Sequence, residues 1–472
     1  MAWVAWDGLG CGHSVRHGII PALHVHGSCF GETAMWKSLL AGVVLCAAVM
    51  GQAQDRDTKV RNDKKLLEAS EHWIYNDLPK GLREARRLNK PLLIVFRCIP
   101  CEACHEFDEQ VVERDPAVRH VLDQFVCVRI PQGNHLDLSQ FQFDYDMSFA
   151  VMYLHHDGTI LGRFGTRTGQ SNEHEDMHLQ GFAESMTRAV ALHRDIDQHR
   201  AALAAKKGPP SPVPYPEEFP SLKGRYSDRL DYEANTARSC VHCHQIREAQ
   251  RLVYRSRGEP LPDRLMFPWP GLSVIGLKAD PKTAATIAAV EPGSIGAQAG
   301  IRPGDKLLAM NGQPLVSVAD AQWVLDQSGD TATIDVELQR GDQNLHVTLN
   351  LPSGWRRTAN IDWRATSWDL RRMAFGGMKL DPLGDAERAK LKLPQGKTAL
   401  LVRHVGEYGE HARAKQAGIQ KGDVVVSYDG RTDLLTESQM LAYGMQRKQP
   451  GDKVEIGILH NGQRKTVTIT LQ

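Results

Sequence analysis

The sequence predicts a multidomain chain in which an α/β domain is followed by two smaller, mainly β (α+β) domains. Three observations carry this. The length of 472 residues exceeds what one core usually organises and suits three or four domains. Between residues 54 and 206 short apolar runs alternate with helical patterns, the order of an α/β domain. Beyond a Pro-rich stretch, a segment at Ala299 returns 118 residues later at Ala417, the mark of an internal repeat.

In the first domain, Leu66 to Lys90 carries apolar residues at helical spacing, and Pro91–Phe96 (PLLIVF) reads as a buried strand. Asp55 to Lys65 is charged and reads as loose. Helical patterns follow over Cys101–Val112 and Pro116–Gln124, then a strand over Phe125–Ile130. A hairpin pairs Ala150–Leu154 with Ile160–Gly165 across the turn at Asp157–Gly158, and Gly181 to about Ala205 closes the domain as a helix. Lys207–Pro220 (KGPPSPVPYPEEFP) reads as a semi-rigid linker. With a small polar segment it fills residues 207–268. The repeats occupy 269–352 and 360–472. Each contains AGIxxGDxxxxxxG and ends in a hairpin around a Gly-containing turn.

Charge is balanced, with 57 Lys+Arg against 56 Asp+Glu, so no basic footprint for nucleic acid exists. Residues 1–53 read as a leader. Met35-Trp-Lys37 precedes an apolar run from Ser38 to Met50, and Gly51 and Ala53 place small residues at a cleavage site. The run is shorter than the roughly 20 residues that span a bilayer. Translation from Met35, cleavage after Ala53 and export to the periplasm or exterior are expected, with the mature thiols in an oxidising compartment.

Six of the nine cysteines carry candidate chemistry: Cys98, Cys101, Cys104 and Cys127, then Cys240 and Cys243. Cys101-Glu-Ala-Cys104 follows an apolar strand and opens a helical pattern. Unpaired amides and the positive end of the helix there favour thiolate at Cys101, while Cys104, one turn inside, can resolve a mixed disulfide. Cys98 extends the motif to CxxCxxC. A structural disulfide, inert core thiols, or a metal held by Cys98, Cys101, Cys104 and His105 stand as alternatives. Ser239-Cys-Val-His-Cys-His244 contains CxxCH, the attachment signature of c-type haem. On that reading Cys240 and Cys243 bind the haem vinyls, His244 is the proximal ligand and Met266 the distal one. A disulfide, a second redox pair, or zinc using His242 or His244 are the other readings.

These motifs resemble known families. Asn89-Lys-Pro, the buried strand, CxxC and a helix resemble the thioredoxin pattern, although Pro100 replaces the usual Trp. Asp146–Val151 also lacks the proline that shapes that family's substrate groove. The repeats resemble the PDZ domains of periplasmic serine proteases, on Gly300, Gly304, Asp305, Asn311 and Gly312, then Gly418, Gly422, Asp423, Asp429 and Gly430. No GNSGG-type serine segment accompanies them. The whole chain is similar to a bacterial family, with some selenocysteine members, that joins a thioredoxin-like domain to PDZ units. The resemblance implies disulfide exchange by Cys101 and Cys104, with exported proteins or peptide C-termini as partners of the PDZ units. Their capture loops would hold Gly271, Leu272 and Gly276, then Gly376, Gly377 and Met378. A non-catalytic PDZ scaffold with a degenerate thioredoxin-like domain is the second reading.

Overall fold

The computed structural model describes residues 56–99, 105–112, 114–167 and 176–472. The leader (1–53), Cys101 and Cys104 lie outside the described residues. In the first domain a five-stranded sheet is ordered β1-β3-β2-β4-β5. Its strands are β1 (Trp73–Tyr75), β2 (Leu92–Arg97), β3 (Val126–Ile130), β4 (Phe149–Leu154) and β5 (Ile160–Phe164). β2 runs parallel to β3 and antiparallel to β4. Every residue of β2 is buried, as a central strand covered on both faces requires. The helices are α1 (56–68), α2 (Leu78–Leu88), α3 (His105–Val112), α4 (Pro116–Leu122), α5 (Leu179–Arg194) and α6 (Ile196–Ala204).

The α/β order matches the expectation, with three local corrections. Residues 56–65 are helical, anchored where Asp63 meets the buried Arg129 guanidinium at 2.7 Å. The helical reading of 66–90 hid β1, because a three-residue strand is too short to show its own period. The closing helix breaks at Asp195, the junction between α5 and α6.

The Pro-rich stretch does not act as a spacer. Pro214 accepts from the Leu138 amide, and Phe219 and Leu222 join the core of the first domain. Beyond it α7 (Cys243–Ser256) is the spine between domains. Ile246 and Ala249 enter the first core, whereas Leu252 and Tyr254 pack against the third. Arg247, Arg251 and Arg255, four residues apart, form a buried stripe. Arg247 stacks over Tyr145, Arg251 donates to the Leu265 carbonyl at 2.9 Å, and Arg255 donates to the Gln472 carbonyl.

The second domain contains β6 (Leu277–Ala279), β7 (Ile287–Val290), β8 (Lys306–Met310), β9 (Gln313–Pro314), α8 (Val318–Gln327), β10 (Ala332–Arg340) and β11 (Gln343–Leu351). In the third are α9 (Ser367–Phe375), β12 (Met378–Pro382), β13 (Leu400–Val405), β14 (Val424–Tyr428), α10 (Glu437–Arg447), β15 (Lys453–His460) and β16 (Gln463–Thr470). Both end in the expected hairpin. α8 docks on the first domain: Asp320 meets the Lys206 ammonium at 2.8 Å with both side chains buried. The Trp323 indole N–H donates to the Ala205 carbonyl. The third domain is held by Arg364, whose guanidinium bridges Asp144 and Asp146 at 2.8 and 3.1 Å. Arg364→Met would leave two buried carboxylates without their cation. A loss of about 3–5 kcal/mol is expected, measured by urea denaturation of the whole chain.

Candidate functional site

Cys98 leaves the C-terminal end of β2, where the chain turns toward α3. Its amide donates to the Ser148 carbonyl at 3.1 Å, which ties it to the start of β4. Below it lies a buried charge cluster. Asp108 of α3 accepts from Arg97 of β2 at 3.1 Å and from Arg129 of β3 at 2.5 Å. One carboxylate between two guanidiniums fixes α3 to two central strands, because any other partner would leave the charges uncompensated. The helix that follows the first cysteine motif is therefore rigidly seated. Cys127 is apart from this end of the sheet. It is buried on β3, its thiol pushed up to about 12 by that burial.

The second cysteine motif is brought to the same end of the sheet. Just past β3, the Gly133 amide donates to the Val241 carbonyl at 2.7 Å. A Cβ at Gly133 would stand 2.7 Å from that oxygen, so the close approach needs glycine. Asn134 completes the clamp. Its Oδ1 accepts from the Val241 amide at 2.8 Å, and its Nδ2 donates to the Ser227 and Ser239 carbonyls at 2.8 and 3.0 Å. As a result Cys98 Sγ lies 3.3 Å from His242 Nδ1. Two motifs 144 residues apart in sequence meet there. His242 caps α7, its amide donating to Gln245 Oε1 at 2.9 Å, so the imidazole is carried on a fixed helix end.

Cys240 is buried beside Val60 and Leu230, with Ile99 and Tyr232 packed against this cluster. Its thiol is pushed well above the usual range, chiefly by burial and then by charge on Cys98 and Cys243. Cys243 faces the core of the first domain instead, and burial lifts its thiol to about 12. His244 lies beside His242, ring centroids 5.5 Å apart. Burial drives it down to about 4, and His242 adds to that. Among the described residues no group of three or more His, Cys, Asp or Glu side chains could hold a metal ion.

The CxxCH residues and Met266, the expected haem ligands, pack on different clusters. Cys240 lies in the small cluster with Val60 and Leu230, and Cys243 packs against the first core. Met266 is in the core of the third domain. Its neighbour Leu265 is bonded to Arg251, seven residues along α7 from His244, or about 10 Å of helix.

The two capture loops differ. In the first repeat Gly271 and Leu272 lead into the turn closed by Gly276, whose amide donates to the Ser273 carbonyl. In the second, the Gly376 and Gly377 amides cap α9 by donating to the Arg372 and Arg371 carbonyls, and Met378 begins β12. β12 is an edge strand, yet its Leu380 amide already donates to Glu437 Oε1 at 2.7 Å. Glu437 is paired with Arg371, both fully buried. In the first repeat the residue after the helix N-cap is Val318, which has no group to take a strand amide. Glu437 and Arg371, like Gly133 and Asn134, are absent from the sequence expectations, and His242 stands there only as a zinc ligand.

Family comparisons agree with this geometry. Residues 73–155 match the thioredoxin-like model, and residues 286–340 and 410–471 match PDZ domain models. The chain carries a thioredoxin-like domain and two PDZ domains. Among curated proteins it is 25% identical over 187 residues to a putative zinc metalloprotease of Neisseria meningitidis, covering 39% of this chain and 34% of that protein. It is 28% identical over 190 residues to the regulator of sigma-E protease RseP of Salmonella typhimurium, covering 40% and 36%. The chain thus spans about a third of the length of these relatives. Among solved structures, the HtrA-type protease AlgWS227A with a decapeptide aligns at 17% identity. The match covers 39% of this chain and 53% of that one, with a TM-score of 0.21.

Two measurements check the site. Asn134→Ala would strand an amide and two carbonyls at the thioredoxin-like edge, each costing about 1–3 kcal/mol if left buried and unpaired. Reduced stability in urea and faster alkylation of Cys243 are expected. His244 is held below its unfolded value near 6.5, so the unfolded chain takes its proton first as pH falls. The His244 contribution is complete above pH 6.5 and is lost between pH 6.5 and about 4, by up to roughly 3 kcal/mol. Unfolding of His244→Gln should lack that part of the slope.

Proposed function

We propose that this chain is an exported thiol–disulfide redox protein whose PDZ domains hold the protein partner. The observation that carries this reading is the contact between Cys98 and His242 at the C-terminal end of the central strand. An imidazole within hydrogen-bond reach of a thiol accepts its proton and leaves the nucleophilic thiolate. Cys101 and Cys104 follow Cys98 at three-residue intervals in the sequence and supply the CxxC pair of the exchange. A scaffold that used the thioredoxin-like domain only for packing would have no need of a histidine carried onto a cysteine by the Gly133–Asn134 clamp.

Of the two PDZ domains, the first is the receptor in this reading. Peptide addition needs free amides on the strand edge. In the second domain the buried Arg371–Glu437 pair holds the Leu380 amide, whereas Val318 leaves the equivalent place in the first domain without an acceptor. Exported proteins with apolar C-termini are the partners expected.

The test uses the whole chain, exported by a bacterial host. The mature protein should begin near Gln54 and should reduce glutathione disulfide in stoichiometric amount. Cys101→Ser should lower that reduction by removing the CxxC pair's share, and Cys104→Ser should trap a mixed disulfide on Cys101. A wild-type chain inert to glutathione disulfide at neutral pH would leave the scaffold reading standing.

A further inference from the structure

Resting on the redox reading above, we infer that Cys240 is a resolving thiol for Cys98, with His242 as the proton carrier between them. The two cysteine motifs then form one reaction centre. Three independent placements support this. Cys98 Sγ is 3.3 Å from the ring of His242, two residues from Cys240. Ile99, the residue after Cys98, packs on the small cluster that contains Cys240. Cys243, the obvious partner by spacing, packs against the core of the thioredoxin-like domain, whereas Cys240 belongs to the small cluster that Ile99 covers.

Burial decides the order of events. Cys240 is only 5% exposed, so an external protein disulfide cannot reach it. Cys98 is partly exposed and must meet the substrate first. Cys98 gives its proton to His242 and its thiolate attacks one sulfur of an exported protein's disulfide. The Cys98–substrate bond forms, the substrate S–S bond breaks, and the departing sulfur takes the proton from His242. Cys240 then gives its proton to His242 and attacks the Cys98 sulfur. A Cys98–Cys240 disulfide forms, the Cys98–substrate bond breaks, and the second substrate sulfur leaves as a thiol. The substrate gains two electrons and the Cys98/Cys240 pair loses them; a dithiol reductant restores the pair. Substrate access to one thiol and shielding of the other is the division of labour a resolving cysteine needs.

Glutathione disulfide is the probe, applied to the whole reduced chain and followed by peptide mapping. In the wild type the expected product is a Cys98–Cys240 disulfide with little Cys98–glutathione adduct. In Cys240→Ser, and in Cys240→Ala, which keeps the buried position apolar, the adduct on Cys98 should persist at least about tenfold longer. His242→Gln should slow its formation by about tenfold or more. The inference is overturned if the adduct clears equally fast in both Cys240 variants, or if the Cys98 disulfide maps to Cys101 or Cys104. Either result with a reducing wild type overturns only this inference. A wild type that never reacts overturns the redox reading as well.

Discussion

The clamp between residues 133–134 and Val241 is the constraint on which the rest depends. Neither cysteine motif builds a site by itself among the described residues. The first ends a central strand; the second opens a helix more than a hundred positions later. One glycine without a Cβ and one buried asparagine with three backbone partners bring them to the same end of the sheet. Asparagine suits the task because it both accepts and donates, so it satisfies an amide and two carbonyls that folding has taken from water. The same clamp orients α7, and α7 in turn sets where the third domain meets the first. Local backbone pairing thus decides long-range architecture.

Buried charge does the remaining positioning. Asp108 between Arg97 and Arg129, Asp144 and Asp146 around Arg364, and Asp320 with Lys206 are all shielded from solvent. Such pairs contribute little net stability against apolar replacements, but they penalise any misplacement severely. The first fixes α3 to the central strands of one domain, and the other two sit where different domains must keep one relative placement. Apolar surfaces, which tolerate sliding, do the bulk packing within each domain.

Much of this was legible in the sequence, and the parts that were not share a cause. The α/β domain, the repeat and both terminal hairpins follow from short-range pattern: Leu92–Phe96 is a continuous apolar run, and the Gly-Asp and Asn/Asp-Gly turns punctuate the repeats. Strand β1 was hidden because Trp73–Tyr75 interrupts two helical stretches too briefly to carry its own period. Asn134 and Glu437 could not be found because their roles lie in partners 105 and 57 residues distant, and His242 was read only as a zinc ligand because Cys98 lies 144 residues away. The CxxCH spacing records proximity along the chain and not which core each cysteine packs against. Once folded, Cys240 and Cys243 face different cores. The stripe of Arg247, Arg251 and Arg255 was visible as a four-residue period, but charge at that spacing ordinarily marks a solvated helix face.

The docking of α8 has a consequence for substrate choice. Asp320 and Trp323 fasten α8 of the first PDZ domain to the thioredoxin-like domain, through a buried ion pair with Lys206 and a hydrogen bond to the Ala205 carbonyl. A gripped C-terminus and the thiol at Cys98 are therefore held at one separation rather than swinging on a tether. An extended chain covers roughly 3.3 Å per residue, so that separation translates into a count of residues. The molecule would act as a gauge, favouring chains whose disulfide lies a set number of positions before their end and passing over those with the same tail and a different spacing.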